Sequence, residues 1–165
     1  MTQATQRAAI NTIVSGVSNI GNVYNRERWG MTWTEVLALL KATVSGTDQI
    51  RAWMITCLGH RDAWLNGEAV SPDGKVAVLR TFRWRIQGFV TFNDGDATEP
   101  AILNLATAVV DAMNGAKSLH DGTRYWDEQP PAQLDVFELR IFGGVLCHYA
   151  EITQELTEAV AISTA

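Results

Sequence analysis

Two arms of alternating apolar and polar residues meet at Gly143-Gly144, and no other pattern in the chain constrains the fold as much. On the first arm Phe137, Leu139 and Ile141 alternate with Glu138 and Arg140; on the second, Leu146, Ala150 and Ile152 alternate with Glu151, Thr153 and Glu155. Successive strand side chains point to opposite faces, so residues 133–156 read as two half-buried strands. The glycine pair supplies the positive φ of a tight turn at little steric cost. A two-stranded ribbon is marginal alone, so the rest of the chain must cover its apolar face.

Upstream, Ala4, Ala8, Ile10, Ile13, Val14 and Val17 recur at helical spacing, which predicts an N-terminal helix within residues 1–20 and a loop from Asn19 to Val23. Thr32-Trp-Thr-Glu35 fits a capping box, in which the threonine oxygen takes an orphan N–H and the glutamate reaches back. Trp33, Val36, Leu37, Leu40 and Val44 extend the apolar stripe of that second helix to a stop at Ser45-Gly46. A strand is predicted from Ile50 to Leu58, with Arg51 and Thr56 as its polar members and Trp53 and Ile55 as its bulk, followed by irregular chain from Gly59 to Gly74. The longest strand candidate is Lys75 to Phe92. It sends Phe82, Trp84 and Ile86 to one side and Thr81, Arg83, Arg85 and Gln87 to the other. Gly88 within it marks a bulge or a close approach of another backbone. Thr98 and Pro100 open a third helix with the stripe Ile102, Leu105, Ala106, Val109 and Met113. A loop carrying Trp126 then leads to the final hairpin, and residues 157–165 read as a frayed tail. Strands in runs predict a single α+β domain over residues 1–165. Its sheet is expected to be mostly antiparallel, of about four strands, with helices packed on one face.

The chain's 165 residues suffice to bury a core without staples, and a net charge of −5 argues against broad nucleic-acid binding. Two cysteines, Cys57 and Cys147, make no disulfide framework and read as reduced thiols. The N-terminus lacks the pattern of a targeting peptide, and no stretch approaches a membrane span, so a soluble intracellular protein is expected. Cys57-Leu-Gly-His60 has one metal-ligand spacing, but Cys147 and His148, adjacent in a strand, face opposite ways. No metal, no cofactor and no enzyme is expected: nucleophile elbow, metalloprotease helix and phosphate-binding glycine loop are all missing.

Arg80, Arg83 and Arg85 interleave with Phe82 and Trp84, as in single-strand nucleic-acid platforms. Alternation separates the aromatics from Arg83 and Arg85, which favours a core side and a wet or intersubunit side. Of six tryptophans, Trp64 and Trp126 fall in predicted loops, and Trp29 stands beside Arg28, where large aromatics point to interfaces.

Taken together, several segments resemble the tail terminator (tail completion) proteins of long-tailed bacteriophages. They are the amphipathic first helix, Tyr24-Asn-Arg-Glu-Arg-Trp29, the capped helix before Ile50-Arg-Ala-Trp53, Arg80-Thr-Phe-Arg-Trp-Arg-Ile-Gln-Gly88, the helix after Pro100, and Arg140-Ile-Phe-Gly-Gly-Val-Leu-Cys-His-Tyr149. The resemblance spans most of the chain and carries over no individual residue role. It implies an α+β subunit in a homo-oligomeric six-membered ring that caps the tail tube protein and meets the head connector or stopper protein. It also implies residence in the virion tail or neck after assembly in the host cytoplasm, DNA only in transit through the channel, no membrane and no catalysis. Expected interface residues are Arg28, Trp29, Trp64, Arg83, Arg85, Trp126, Glu151 and Glu155, with a neighbour's Arg83 or Arg85 meeting Glu151 or Glu155. The alternatives are a neck or head-completion component of the same particle and a small single-stranded nucleic-acid-binding module.

Overall fold

The computed structural model describes residues 2–28, 30, 32–44, 46–64, 75–93, 95, 97–116, 119, 130–142 and 144–163. Its elements are α1 (Gln3–Ser15), β1 (Asn22–Tyr24), α2 (Trp33–Leu40), β2 (Lys41–Val44), β3 (Thr47–Trp64), β4 (Lys75–Thr91), α3 (Thr98–Gly115), β5 (Gln133–Phe142) and β6 (Val145–Ser163).

Alternation along β4 decides which way the rest faces. Phe82, Trp84, Ile86 and Val90 are buried on one side, where Ile10 and Val14 of α1 and the whole predicted stripe of α3 pack on them. Each large side chain buried in this way contributes roughly 1.5–3 kcal/mol. The Trp84 indole N–H is satisfied there by Gln6 Oε1 at 2.9 Å, which explains a buried glutamine in α1. Gly88 lies under Trp53: a Cβ at that position would stand 2.6 Å from the indole ring. The close approach is therefore made by a side chain and not by a backbone, and the β4 register with β3 and β6 runs through Gly88 without a bulge.

The α+β class holds, but the sheet is larger than expected and mixed. Among the described residues it has six strands in the order β1-β3-β4-β6-β5, with β2 added to β3. β1 pairs with β3 in parallel and every other pair is antiparallel. Both extra strands come from short segments. Asn22–Tyr24, which overlaps the loop expected from Asn19 to Val23, is a strand because it reaches Ala52–Met54. Lys41–Val44, read as helix, turns back on Thr47–Ile50 through Gly46 at φ +80°.

The helices do not share one face. Val36 and Leu40 of α2 pack on Ile50, Ala52, Met54, Phe89, Cys147 and Tyr149, opposite α1 and α3. Trp33 therefore stands 57% exposed at the outer end of α2 instead of in the core. Two predicted irregular stretches are also strand. β3 continues past Leu58, with a bulge between Cys57 and Gly59, as far as Trp64. β6 pairs with β4 through Ser163, and Leu156 and Glu158 are buried, so the expected fraying after Leu156 is replaced by a ladder. The N-terminal helix ends earlier, at Ser15.

Candidate functional site

The α2 side of the sheet divides into a covered and an open part. α2 covers the sheet as far as Tyr149, whose hydroxyl accepts from Gln87 Nε2 at 2.8 Å and donates to Glu151. Burial is the main cause that raises the Tyr149 pKa above its ordinary value. The Arg140 guanidinium lies 3.7 Å over the Tyr149 ring. Beyond that point the strands present Thr56, Thr81, Arg83, Arg85, Thr153 and Glu155, one alternate set from three neighbouring strands.

These residues are stitched to one another within the subunit. Arg85 pairs with Glu27 at 2.6 Å, and Glu27 also accepts from Thr56 Oγ1 at 3.2 Å. Glu155 sits directly across from Arg83 in the ladder but pairs with Arg61 at 2.8 Å. The Thr81 and Thr157 hydroxyls meet at 2.9 Å, and Thr153 donates to Asp135 at 2.6 Å. Such pairs at a wet surface contribute little each, up to about 1 kcal/mol, but they fix which charge is left for a partner. That charge is Arg83, which is exposed and has no ion pair among the described residues. It borders a shallow depression of about 280 Å³ shared with Leu58, Arg61, Thr81 and Glu155.

The expected interface set is thus partly brought together. Arg83, Arg85, Glu151 and Glu155 do share one face. Within the subunit Arg85 is paired with Glu27 and Glu155 with Arg61, so an exchange with a neighbour at either residue would have to share or replace that partner. Arg28 lies apart, half-buried, its guanidinium 5.1 Å over the Tyr24 ring. Trp64 is 71% exposed at the end of β3, on a strand and not in a loop. Trp29 and Trp126 lie outside the described residues.

Sequence reasoning missed a second, apolar surface on the α3 side. Leu139 and Ile141 of β5 were expected to be half-buried but stand 50% and 72% exposed, because the hairpin runs past the helices that cover the core. Leu146, the direct partner of Ile141, and Phe92, just past the end of β4, extend this patch across the sheet. Alternation gave the correct face; only the length of the covering helices sets where the cover stops.

Cys147 is buried in the α2-side core, which pushes its thiol up to about 11, while His148 points to the other face. Among the described residues no three His, Cys, Asp or Glu side chains gather as a metal site, and no helix is long and apolar enough to cross a membrane. No protein-family model matches the sequence, and no curated protein matches it.

Proposed function

We propose that this chain is a ring-forming virion morphogenesis protein, a tail terminator that caps the tail tube of a long-tailed phage and joins it to the head connector. The observation that carries the reading is that both outer sides of the sheet bear exposed apolar side chains, and the two sides differ. On one side, β3 beyond its pairing with β1 carries Leu58 and Trp64 and has no outer partner among the described strands. On the other, β5 is the last strand and carries Leu139 and Ile141. Two unlike, sticky edges are what a heterologous head-to-tail contact uses, and such a contact closes into a ring when its rotation allows. The net charge of −5 suits a channel through which DNA passes without adhering.

The neck-component alternative uses the same surfaces, so particles must separate the two. The nucleic-acid module is disfavoured because Phe82 and Trp84, the aromatics that would stack bases, are in the core. The test is a solution mass measurement together with electron microscopy of particles assembled without this protein. A closed hexamer and tails of abnormal length support the terminator. Tails of normal length without heads would transfer the role to a connector, and a monomer at every concentration would end the ring reading.

A further inference from the structure

Arg51 is the only buried arginine among the described residues, 8% exposed, and no carboxylate there lies within ion-pair distance of it. Its Nη1 donates to the Asn19 carbonyl at 3.0 Å. Among the described residues its Nη2 has only a long contact, 3.4 Å, to Gln49 Oε1, and its Nε has no acceptor. A desolvated guanidinium with so few partners is costly, and burial lowers its pKa.

The chain is nevertheless shaped around this side chain. Gly21, at φ +86°, leaves room for the arginine stem: a Cβ there would fall 2.7 Å from Arg51 Cγ and 2.3 Å from its carbonyl oxygen. Asn19 takes the left-handed conformation, φ +58°, and aims its carbonyl at the guanidinium. Arg51 also lines a cleft of about 520 Å³ with Gln49, Thr91, Asn93, Thr98 and Ala101. Thr98 and Ala101 belong to the first turn of the 18-residue α3, whose partial positive charge is offset in part by Glu99; the Thr98 N–H is taken by the Asn93 carbonyl at 3.3 Å and Pro100 has no N–H, so Glu99 supplies the orphan backbone donor there.

We propose that this cleft binds a carboxylate, seated between Arg51 Nη2 and the amino end of α3, as the counterion that Arg51 lacks among the described residues. Asp48 lines the same cleft, paired with Lys41 at 2.7 Å, and what remains of its charge opposes a dianion such as phosphate more than a singly charged carboxylate. That group belongs either to a small organic acid or to a side chain of an adjoining copy. The inference goes beyond the ring reading and does not depend on it.

The test uses the full chain with acetate as probe, against chloride at equal ionic strength and against inorganic phosphate. In dilute protein, acetate is expected to raise the thermal midpoint saturably and to shift the Gly21 and Ala101 amide resonances, with phosphate weaker. Arg51→Gln tests the same donor but risks misfolding. Gln49→Glu keeps the shape and places a carboxylate beside Nη2. It is expected to stabilise the acetate-free protein and weaken acetate binding by at least about tenfold. In concentrated protein, a copy's carboxylate would make acetate weaken association, whereas a free acid leaves association unchanged. No acetate response in dilute wild-type protein, or an undiminished one in Gln49→Glu, overturns the proposal. Rings that persist in Gln49→Glu leave the terminator reading untouched.

Discussion

His148 lies between Phe92 and Phe137, with ring centroids 5.4 and 6.2 Å away, and its buried Nε2 has no hydrogen-bond partner among the described residues. Burial lowers its pKa below 6.5, and Glu99 on α3 opposes that shift only in part. As the pH falls, the unfolded chain takes up this proton before the folded chain does, so the unfolded state binds more protons in that window. The histidine's contribution is complete above pH 6.5 and is lost as pH falls through the folded value. In urea unfolding followed across that range, wild type is expected to lose stability below pH 6.5. His148→Phe, which keeps an aromatic ring in the stack, should lack that part of the loss. Parallel curves for the two proteins would assign the loss elsewhere. The position of His148 opposite Cys147 was legible from alternation alone. That its ring would be closed off by Phe92 was not, because alternation gives a face and says nothing about the neighbouring strand. Arg51 shows the same limit more sharply. The sequence marks it as a polar member of a strand, but its burial depends on the Asn19–Gly21 turn, thirty residues away.

Among the elements, α2 was read most firmly at its start. Thr32 Oγ1 accepts from the Glu35 N–H at 3.3 Å while the Glu35 carboxylate accepts from the Thr32 N–H at 3.2 Å, as the Thr-x-x-Glu spacing requires. Replacing Thr32 by Ala is expected to cost about 1 kcal/mol in equilibrium denaturation. Glu35→Gln, which retains an acceptor, should cost less; equal stability of Thr32→Ala and wild type would mean the box contributes nothing. The end of α2 was misread for a physical reason. Val44 continues the helical spacing, but the β-branched Thr43 and Val44 also suit a strand, and pairing of Val44 with Thr47 and of Lys41 with Ile50 decides the outcome. Long-range pairing likewise decides β1, the extension of β3 and the last residues of β6. The elements that local pattern fixed, α1, α3 and the β4 alternation, are those whose apolar faces repeat over several turns or residues.

At the scale of the molecule, the two unlike sheet edges give the ring proposal a consequence that a simple dimer does not share. Ile141 marks the β5 edge and Trp64 the β3 edge, both more than two-thirds exposed, so substitution at either leaves the core intact. In a head-to-tail contact each interface takes one edge of each kind. Ile141→Lys removes the β5 edge and Trp64→Lys removes the β3 edge, so each variant alone is expected to sediment as a monomer. Mixed in equal amounts, they have one intact pair between them: the β3 edge of the first and the β5 edge of the second. The mixture should therefore form a discrete heterodimer and stop, since the remaining edges are both spoiled. A self-complementary contact behaves differently, because Ile141→Lys would still pair through its own β3 edges and mixing would add nothing. Sedimentation velocity of the two variants and their mixture separates the cases. Variants that each stay oligomeric like the wild type would move the contact away from these edges, towards the open face around Arg83, and monomeric variants whose mixture stays monomeric would mean that the two edges do not pair with each other.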